Sequence, residues 1–477
     1  MESINILSQS SAISLIFFLS IIFVVIGIYY SKKYKGLNNY LVANRDIGTF
    51  SLTTSLVSSA LGAWILFGPA SAATWGGIGA IMGYSLGAAF PLFILIFLGQ
   101  RFRKLFPKAK TLIEVIRIKF GKKLFKLILF LSIFYMLIFL IAEVTAVSIL
   151  INYISGTSLW ITALIVILSS LIYTLYGGLR ASIFTDNIQF IIFIILLLIS
   201  FSYLISFNSE QFNFDFILLN KPMLLSSDYL PNLTAGLTFF IAVAATNLFH
   251  QGNWQRVFAA KNYEVLKKSL KLSFFIIVPI VFFMGITGII AISYNKDVSP
   301  DLAFFSILLN DKSEILSIGI IILAISLTVS TVDTLLNAIS SLIVVDGKKI
   351  KKNLKFANTI VILLSIVAIF VASKGFSILY LFLLADLLCC AAVFTVFYGF
   401  YKKKFNERNA IKSILLGLFL GLLIFPSPDF SKSLLIGTLL PIDLFPQIVS
   451  SSLLFWSFLL ATLGPAIVIM TYDSFKR

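Results

Sequence analysis

Runs of about twenty apolar residues alternate with short polar and basic segments along almost the whole chain. Each run is long enough to cross the apolar part of a bilayer as a helix. Continuous apolar runs also exclude a membrane β-barrel, whose strands alternate apolar and polar residues. The pattern therefore predicts an all-α polytopic membrane protein with about thirteen transmembrane helices. The predicted spans are residues 12–30, 50–71, 77–100, 125–153, 158–175, 187–206, 233–251, 270–294, 313–345, 357–373, 376–399, 412–425 and 447–471.

The composition agrees with a chain whose surface is apolar, because 59% of its residues are hydrophobic and 12% are charged. A net charge of +17 would suggest nucleic acid as the partner of a soluble protein. Here all but five of the 37 Lys and Arg residues fall in loops on one side of the predicted membrane. That asymmetry predicts a cell-membrane protein with its N-terminus outside and its C-terminus in the cytoplasm, and no nucleic-acid partner. The five exceptions are Lys221, Lys296, Lys312, Lys374 and Lys432, whereas Lys351 and Lys403 belong to the cytoplasmic set.

Two predicted spans contain residues that interrupt a helix, in "SSALGAWILFGPAS" and in "ATNLFHQGNWQR". Gly62, Gly68, Pro69 and Gly252 weaken the backbone hydrogen bonds there, and carbonyls freed in lipid need a partner. Such breaks are typical of transporters, where they bind an ion or a solute, although glycine in a membrane helix also serves close packing. The second break comes five spans after the first, an odd number, so the second set of five helices starts from the opposite side of the membrane. The count predicts a 5+5 inverted-repeat core.

The same count divides the chain into four parts. Residues 1–49 form an N-terminal extra helix with a cytoplasmic loop, and residues 50–206 form the first five-helix repeat. Residues 207–399 form the second repeat, and residues 400–477 hold C-terminal extra helices.

The ninth predicted span, "ISLTVSTVDTLLNAISSLIVVD", carries a polar stripe. Its members recur at helical spacing and share one face. They are Ser326, Ser330, Asp333, Asn337 and Ser340. Sodium is a hard cation that prefers oxygen ligands, and the neighbouring hydroxyls of Ser330 and Thr331 can both point at one ion. Asp333 and Asn337 lie further along the helix, where they link neighbouring helices or line an inner pathway.

Taken in order, several segments resemble the sodium:solute symporter family over nearly the whole chain. They are "NNYLVANRDIG", "SSALGAWILFGP", "KTLIEVIRIKFG", "YGGLRASIFTDNIQ", "NWQRVFAAK" and "STVDTLLNAISSLIVVD". The resemblance implies the ten-helix inverted-repeat fold of the leucine transporter. It also implies sodium as the coupling ion, with no other cofactor.

The resemblance further implies a set of sodium ligands. Side-chain oxygens come from Ser330 and Thr331, and backbone carbonyls come from Leu327, Ser58 and Leu61. In the same way, Asp186 of "IFTDNIQ" resembles an acidic residue at the inner end of the ion path. An equally good reading makes Asp186 the N-cap of the helix that follows.

The solute differs from those of familiar members of this family. Sugar and proline carriers have a polar or acidic residue at the position of Ala60, and sugar carriers have an aromatic gate at Gly252. Both departures argue against these two solutes. The candidate substrate-facing residues are Ala60, Trp64, Glu143, Asn247, His250 and Gln251. A hydrogen-bonded structural role is an equal alternative for His250, the single histidine.

Two carboxyl groups lie in apolar spans far from any loop. Glu143 has no Lys or Arg at matching depth in any predicted span, so it must be protonated, hydrogen bonded or open to a wet cavity. It is therefore a candidate contact for a cationic or amide-bearing solute. Asp386 sits in the last core helix, where a protonated or pathway-lining role is expected.

These features predict sodium-coupled import of a small organic solute by alternating access. A urea or polyamine carrier within the family is one alternative, and a membrane solute sensor without transport is another. An enzyme is not expected, because the chain has one histidine and no metal-ligand spacing. The expected partners are sodium, the solute and the lipid bilayer, and the sequence names no partner protein.

Overall fold

A computed structural model describes residues 3–207, 214–226, 228–294, 298–345, 350–402, 405–433, 435–436 and 447–474. These residues form helices and no β-strand. In chain order the helices are α1 (Gln9–Ser31), α2 (Leu37–Val42), α3 (Thr49–Ala60), α4 (Gly68–Leu105), α5 (Leu112–Phe120), α6 (Lys122–Ser155), α7 (Leu159–Phe207), α8 (Phe214–Asn220), α9 (Leu230–Phe249), α10 (Gln251–Ala259), α11 (Tyr263–Tyr294), α12 (Ala303–Leu308), α13 (Glu314–Val345), α14 (Ile350–Ala372), α15 (Ile378–Gly399), α16 (Glu407–Ile424), α17 (Gln447–Ser450) and α18 (Leu453–Ser474).

Ten helices in the described part of the chain are long and apolar enough to cross a membrane, so the predicted count of thirteen is not reproduced. Three places account for the difference. The helix α7 runs through two predicted spans without a loop, and the second predicted span is broken, which leaves α3 with only 12 residues. The short helix α16 corresponds to the twelfth predicted span and carries Glu407, Arg408 and Lys412 in its 18 residues.

Two long helices bend sharply at a glycine. Gly77 in α4 has φ +49° and Gly178 in α7 has φ +59°, a backbone conformation that other residues rarely adopt. At the second bend the ring and backbone of Tyr40 occupy the space that a Cβ of Gly178 would need. Each glycine therefore marks a kink that joins two helical segments without an intervening loop.

Burial separates central helices from peripheral ones. In their most apolar windows α15 is 89% buried and α13 is 72% buried, whereas α1 is 28% and α14 is 22% buried. The helices α13 and α15 can pack centrally because small residues punctuate them, as in "STVDTLLNAISS" and "ADLLCCAA". Long helices pack in pairs around this centre: α4 lies along α9 and α11, and α13 itself lies along α7 and α6. Both interrupted helices meet this centre.

Candidate functional site

The first break separates α3 from α4. Leu61 (φ −102°, ψ 84°) ends α3, a 3₁₀ turn covers Ala63–Leu66, and α4 begins at Gly68 followed by Pro69. The indole Nε1 of Trp64 donates to the carbonyl of Ala60 at 2.9 Å, which folds the ring back over the end of α3. The break therefore lies where the Gly and Pro residues predict it.

Glu143 of α6 packs against this break. Its Oε2 accepts a hydrogen bond from the amide of Ala63 at 2.7 Å, and its Oε1 has no hydrogen-bond partner among the described residues. The carboxyl group also fills the space beside Gly62, so a Cβ at that position would collide with it. Glu143 thus holds the unwound segment through backbone contacts.

The second break is a single extended residue, His250, between α9 and α10. Its Nδ1 accepts a hydrogen bond from the amide of Gly252 at 3.0 Å, so the ring caps the N-terminus of α10. Nδ1 can accept only when it carries no proton, which places the proton of the neutral ring on Nε2. The capping role is the structural alternative that the sequence left open for this histidine.

The two breaks satisfy their backbone carbonyls differently. At the second break, the amide group of Asn253 donates to the carbonyl of Asn247 at 2.8 Å, and the indole of Trp254 donates to that of Leu248 at 2.9 Å. At the first break, the carbonyls of Ser58 and Leu61 accept no hydrogen bond from the described residues. The first break therefore offers the backbone oxygens of Ser58 and Leu61 to a ligand.

Asp186 of α7 lies at the centre of a buried polar cluster beside the first break. One carboxyl oxygen accepts from Ser330 of α13 at 2.5 Å, and the other accepts from Ser55 of α3 at 2.5 Å. The hydroxyl of Ser58 donates to the backbone carbonyl of Asp186 at 3.1 Å. The cluster brings together three predicted residues that are far apart in sequence. Asp186 lies inside α7, so the alternative reading of it as a helix N-cap does not hold.

The positive charge opposite Asp186 is Arg256 of α10, which sequence reasoning missed. Its Nη2 lies 2.8 Å from Oδ2 of Asp186, and both side chains have zero exposure. The same guanidinium donates to the hydroxyl of Thr334 at 2.9 Å and to the backbone of Ser55 and Gly252. The charge count treated Arg256 as a loop residue, and this was wrong: α10 continues inward after the break and buries it. In the sequence Arg256 is followed by a basic loop, and only its closeness to the break distinguishes it from the loop residues.

Asp333 of α13 accepts hydrogen bonds from both segments of α7, before and after the bend at Gly178. It accepts from Tyr173 at 2.6 Å before the bend, and from Ser182 at 2.8 Å and Thr185 at 3.3 Å after it. Further along the stripe, Ser340 shares a hydrogen bond of 3.0 Å with Tyr40 of α2. The polar stripe of α13 therefore faces α7 and α2, and this favours the helix-linking reading of Asp333.

A central cavity of about 30 Å³ lies between the two breaks. Four predicted residues line it, namely Ala60, Trp64, Asn247 and His250. Its volume admits a few water molecules at most, so an organic solute requires the helices around it to move apart.

Two other predicted substrate residues do not line this cavity. Gln251 accepts from the amide of Leu112 at 3.2 Å, so it faces the short helix α5. Glu143 faces the first break, as described above. Sequence depth alone suggested both, and depth does not give the direction of a side chain around its helix.

The cavity is also lined by polar residues that were not among the predicted substrate-facing residues, although a pathway-lining role was one expectation for Asp386. Asp386 of α15 lines it and accepts from Thr246 of α9 at 2.7 Å. Asn253 and Tyr84 line it too, and the Tyr84 ring stacks on Trp64 with centroids 5.4 Å apart. Thr246 and Asn253 flank predicted residues at helical spacing, which is the signal that would have found them.

Residues 40–417 match the sodium:solute symporter family, which is most of the chain. The chain belongs to this family. The symporter is 26% identical over 408 residues to the spermidine transporter DUR31 of Candida albicans, which covers 83% of this chain and 77% of that one. It is 27% identical over 165 residues to sodium/glucose cotransporter 4 of Danio rerio, covering 33% of this chain and 24% of that one. It is 24% identical over 170 residues to the urea active transporter of Saccharomyces cerevisiae, covering 36% and 23%.

The fold of the symporter is that of a solved Na⁺-coupled sialic acid symporter in a substrate-bound, outward-open state. The two agree with a TM-score of 0.74 over 97% of each chain, at 17% identity. A nucleobase-cation-symport-1 transporter in a closed conformation agrees with a TM-score of 0.57 at 14% identity. The resemblance read from the sequence is thus confirmed. The protein is a sodium-coupled transporter with many membrane-spanning helices.

Proposed function

We propose that this symporter imports a small organic cation that carries an ammonium group, together with sodium. One observation carries the substrate class: Asp386 is the single charged residue among the described residues that line the central cavity. No Lys or Arg stands in that lining to favour an anionic solute. A cation entering the cavity would meet a carboxylate that, within the described part of the chain, accepts one hydrogen bond, from Thr246.

Aromatic rings around the cavity support the same class. Trp64, Tyr84, Phe139 and Phe382 line it together with Asp386. A ring face attracts an ammonium group within about 6 Å of its centre, and this attraction strengthens where water is excluded. A carboxylate surrounded by rings suits an amine better than a sugar, which needs many hydrogen-bonding groups. The similarity to a spermidine transporter over 83% of the chain points in the same direction.

Sodium is proposed to bind at the first break, held by the carbonyls of Ser58, Leu61 and Leu327 and the hydroxyls of Ser330 and Thr331. The free carbonyls of Ser58 and Leu61 support this assignment, because a hard cation prefers such oxygens. The Thr331 hydroxyl lies 3.3 Å from the carbonyl of Leu327, so these two oxygens are already neighbours. Asp186 and Asp333 are proposed to lie on the path along which the ion leaves.

The proposed orientation follows the basic residues. Lys and Arg concentrate in the loops that contain α2, α5 and the α10–α11 turn, so that end of the bundle is proposed to face the cytoplasm of a cell membrane. The start of α1 and the starts of α9 and α15 then face outside.

Uptake into proteoliposomes tests the proposal. Purified protein would be reconstituted, and uptake of labelled spermidine, 1,4-diaminobutane, urea and glucose would be measured with and without an inward sodium gradient. Sodium-dependent uptake of one or both amines, with neither urea nor glucose transported, is the expected result. Uptake of urea alone would replace the ammonium class with a neutral amide.

The matched variants are Asp386→Asn and Asp228→Asn. The first removes the cavity charge and keeps the side-chain size, and it should reduce amine uptake at least about tenfold. The second removes a charge from an exposed position and should leave uptake unchanged. Normal amine uptake by Asp386→Asn would overturn the role of this carboxylate.

A further inference from the structure

A second, larger cavity of about 400 Å³ lies at the end of the bundle that the proposed orientation puts outside. The turn at Asp301, the starts of α9 and α15 and the segment around α17 surround it. Its volume lies in the range of cavities that bind small organic molecules, so it can admit a solute that the central cavity cannot hold in this conformation.

The chemistry of this cavity repeats that of the central one. Asp301 is the single charged residue among the described residues that line it, and Trp75, Phe430 and Phe455 contribute aromatic rings. The hydroxyl of Ser71 donates to Asp301 at 3.2 Å and the amide of Ile378 donates at 3.4 Å. Both hydrogen bonds are long, and a carboxylate has about four acceptor positions, so it retains capacity for a donor with positive charge. Burial raises the pKa of Asp301, because these contacts do not replace its lost hydration.

The two cavities lie along the same helix faces. On α9, Thr238 lines the outer cavity and Thr246 the central one, eight residues further along. On α15, Leu379 lines the outer cavity and Asp386 the central one, seven residues further along. Residues seven or eight apart share a helix face and are separated by about 10–12 Å along the axis. The outer cavity therefore lies on the same faces of α9 and α15 as Asp386, about 10–12 Å from the central cavity along the helix axes.

We propose that the Asp301 cavity is a second solute site, which binds the ammonium group of the transported amine before the amine reaches Asp386. This inference rests on the proposed substrate class. An outer carboxylate raises the local concentration of a cationic solute and speeds its capture. Loss of the outer site should therefore raise the solute concentration needed for transport and leave the maximal rate intact.

Asp301 also connects the start of α4 to the start of α15 through Ser71 and Ile378, so a structural role must be separated from solute binding. Ser71→Ala removes one of these contacts and keeps the charge. Asp301→Asn removes the charge, and its remaining oxygen can still accept from the amide of Ile378 while its new amide group can donate to the hydroxyl of Ser71. A solute site predicts a much larger change in transport from Asp301→Asn than from Ser71→Ala, whereas a structural link predicts similar effects from both.

The test combines equilibrium binding and uptake, with labelled 1,4-diaminobutane as the probe. In lipid nanodiscs with sodium, the parent protein should bind two molecules, Asp301→Asn one and Asp386→Asn one. In proteoliposomes, Asp301→Asn should raise the KM for this amine about five- to tenfold with an unchanged maximal rate, and Ser71→Ala, which keeps the charge, should raise it much less. Thermal unfolding of each variant checks that it is folded.

The outcomes separate the two proposals. One bound amine in the parent, with binding and KM unaffected by Asp301→Asn, overturns the outer site and leaves the role of Asp386 standing. Equal KM changes in Asp301→Asn and Ser71→Ala also overturn it, in favour of a structural link. No amine bound by the parent overturns the outer site together with the ammonium substrate class.

Discussion

The hydroxyl of Ser330 donates to Oδ1 of Asp186 across 2.5 Å, and this contact joins α13 to α7 beside the end of α3. Ser330 is thus both a proposed sodium ligand and a partner of the buried ion pair formed by Asp186 and Arg256. Among the described residues, the hydroxyl of its neighbour Thr331 hydrogen bonds only to the carbonyl of Leu327 in its own helix. The two hydroxyls can therefore be separated by mutation.

Ser330→Ala and Thr331→Ala should each raise the sodium concentration for half-maximal uptake about tenfold, because each removes one proposed ion ligand. The double variant should nearly abolish coupling between sodium and solute. Sodium titration of amine uptake in proteoliposomes measures both effects. Ser341→Ala is the control, since the one partner of this hydroxyl within the described structure is the carbonyl of Ala338 on the same helix. Parent-like sodium dependence in both single variants would place the ion elsewhere.

Arg256→Ala should destabilise the protein by about 3–5 kcal/mol, because it leaves the buried carboxylate of Asp186 without a counter-charge. The double variant Asp186→Ala with Arg256→Ala should recover part of that loss, since no lone buried charge remains. Thermal unfolding followed by tryptophan fluorescence compares the variants. A double variant less stable than Arg256→Ala alone would show that the ion pair is not the reason for the loss.

Glu143→Ala should raise the half-maximal sodium concentration, because the amide of Ala63 loses its acceptor and the unwound segment loses its support. Glu143→Gln keeps an oxygen acceptor and should have a smaller effect. Uptake titrated separately in sodium and in amine distinguishes this role from solute contact. Loss of amine binding in Glu143→Gln with sodium affinity retained would instead favour the substrate role predicted from the sequence.

Single cysteines at positions 221 and 432 should react with a membrane-impermeant reagent added to intact cells, because the distribution of basic residues predicts both positions to face outside. A cysteine at position 351 should react only after the membrane is opened. The parent for these variants carries Ser at positions 389 and 390, which hold two buried cysteines. Labelling at 351 in sealed cells would contradict the proposed orientation. Position 403, also predicted to be cytoplasmic, lies outside the described residues.

The family, the helical membrane fold and the places of both breaks could be predicted from the sequence, because local patterns determine them. Long apolar runs specify membrane helices, and the Gly and Pro residues between Gly62 and Pro69 specify where a helix cannot continue. The fold could be predicted more safely than the number of spans. The polar interval 176–186 predicted a loop between two spans, yet the helix α7 continues through it with a bend at Gly178.

The arrangement of the site could be predicted only in part, because its contacts join residues far apart in the chain. Trp64 and His250 were found from their positions in the breaks. The contact of Glu143 with Ala63 spans 80 residues, and that of Arg256 with Asp186 spans 70. Nothing in a local pattern gives the rotation of α6 that turns Glu143 away from the cavity, or the depth to which α10 carries Arg256.

The hydrogen bonds of Asp333 to the two segments of α7, before and after Gly178, have a mechanical consequence. Tyr173 lies on one arm, while Ser182 and Thr185 lie on the other, and a single carboxyl group holds all three. The bend of α7 at Gly178 is therefore held in place by α13. Asp186 directly follows Thr185, so the ion pair of Asp186 and Arg256 lies on the same segment of α7. If α13 tilts during transport, the bend at Gly178 and the ion pair of Asp186 and Arg256 would move with it as one unit.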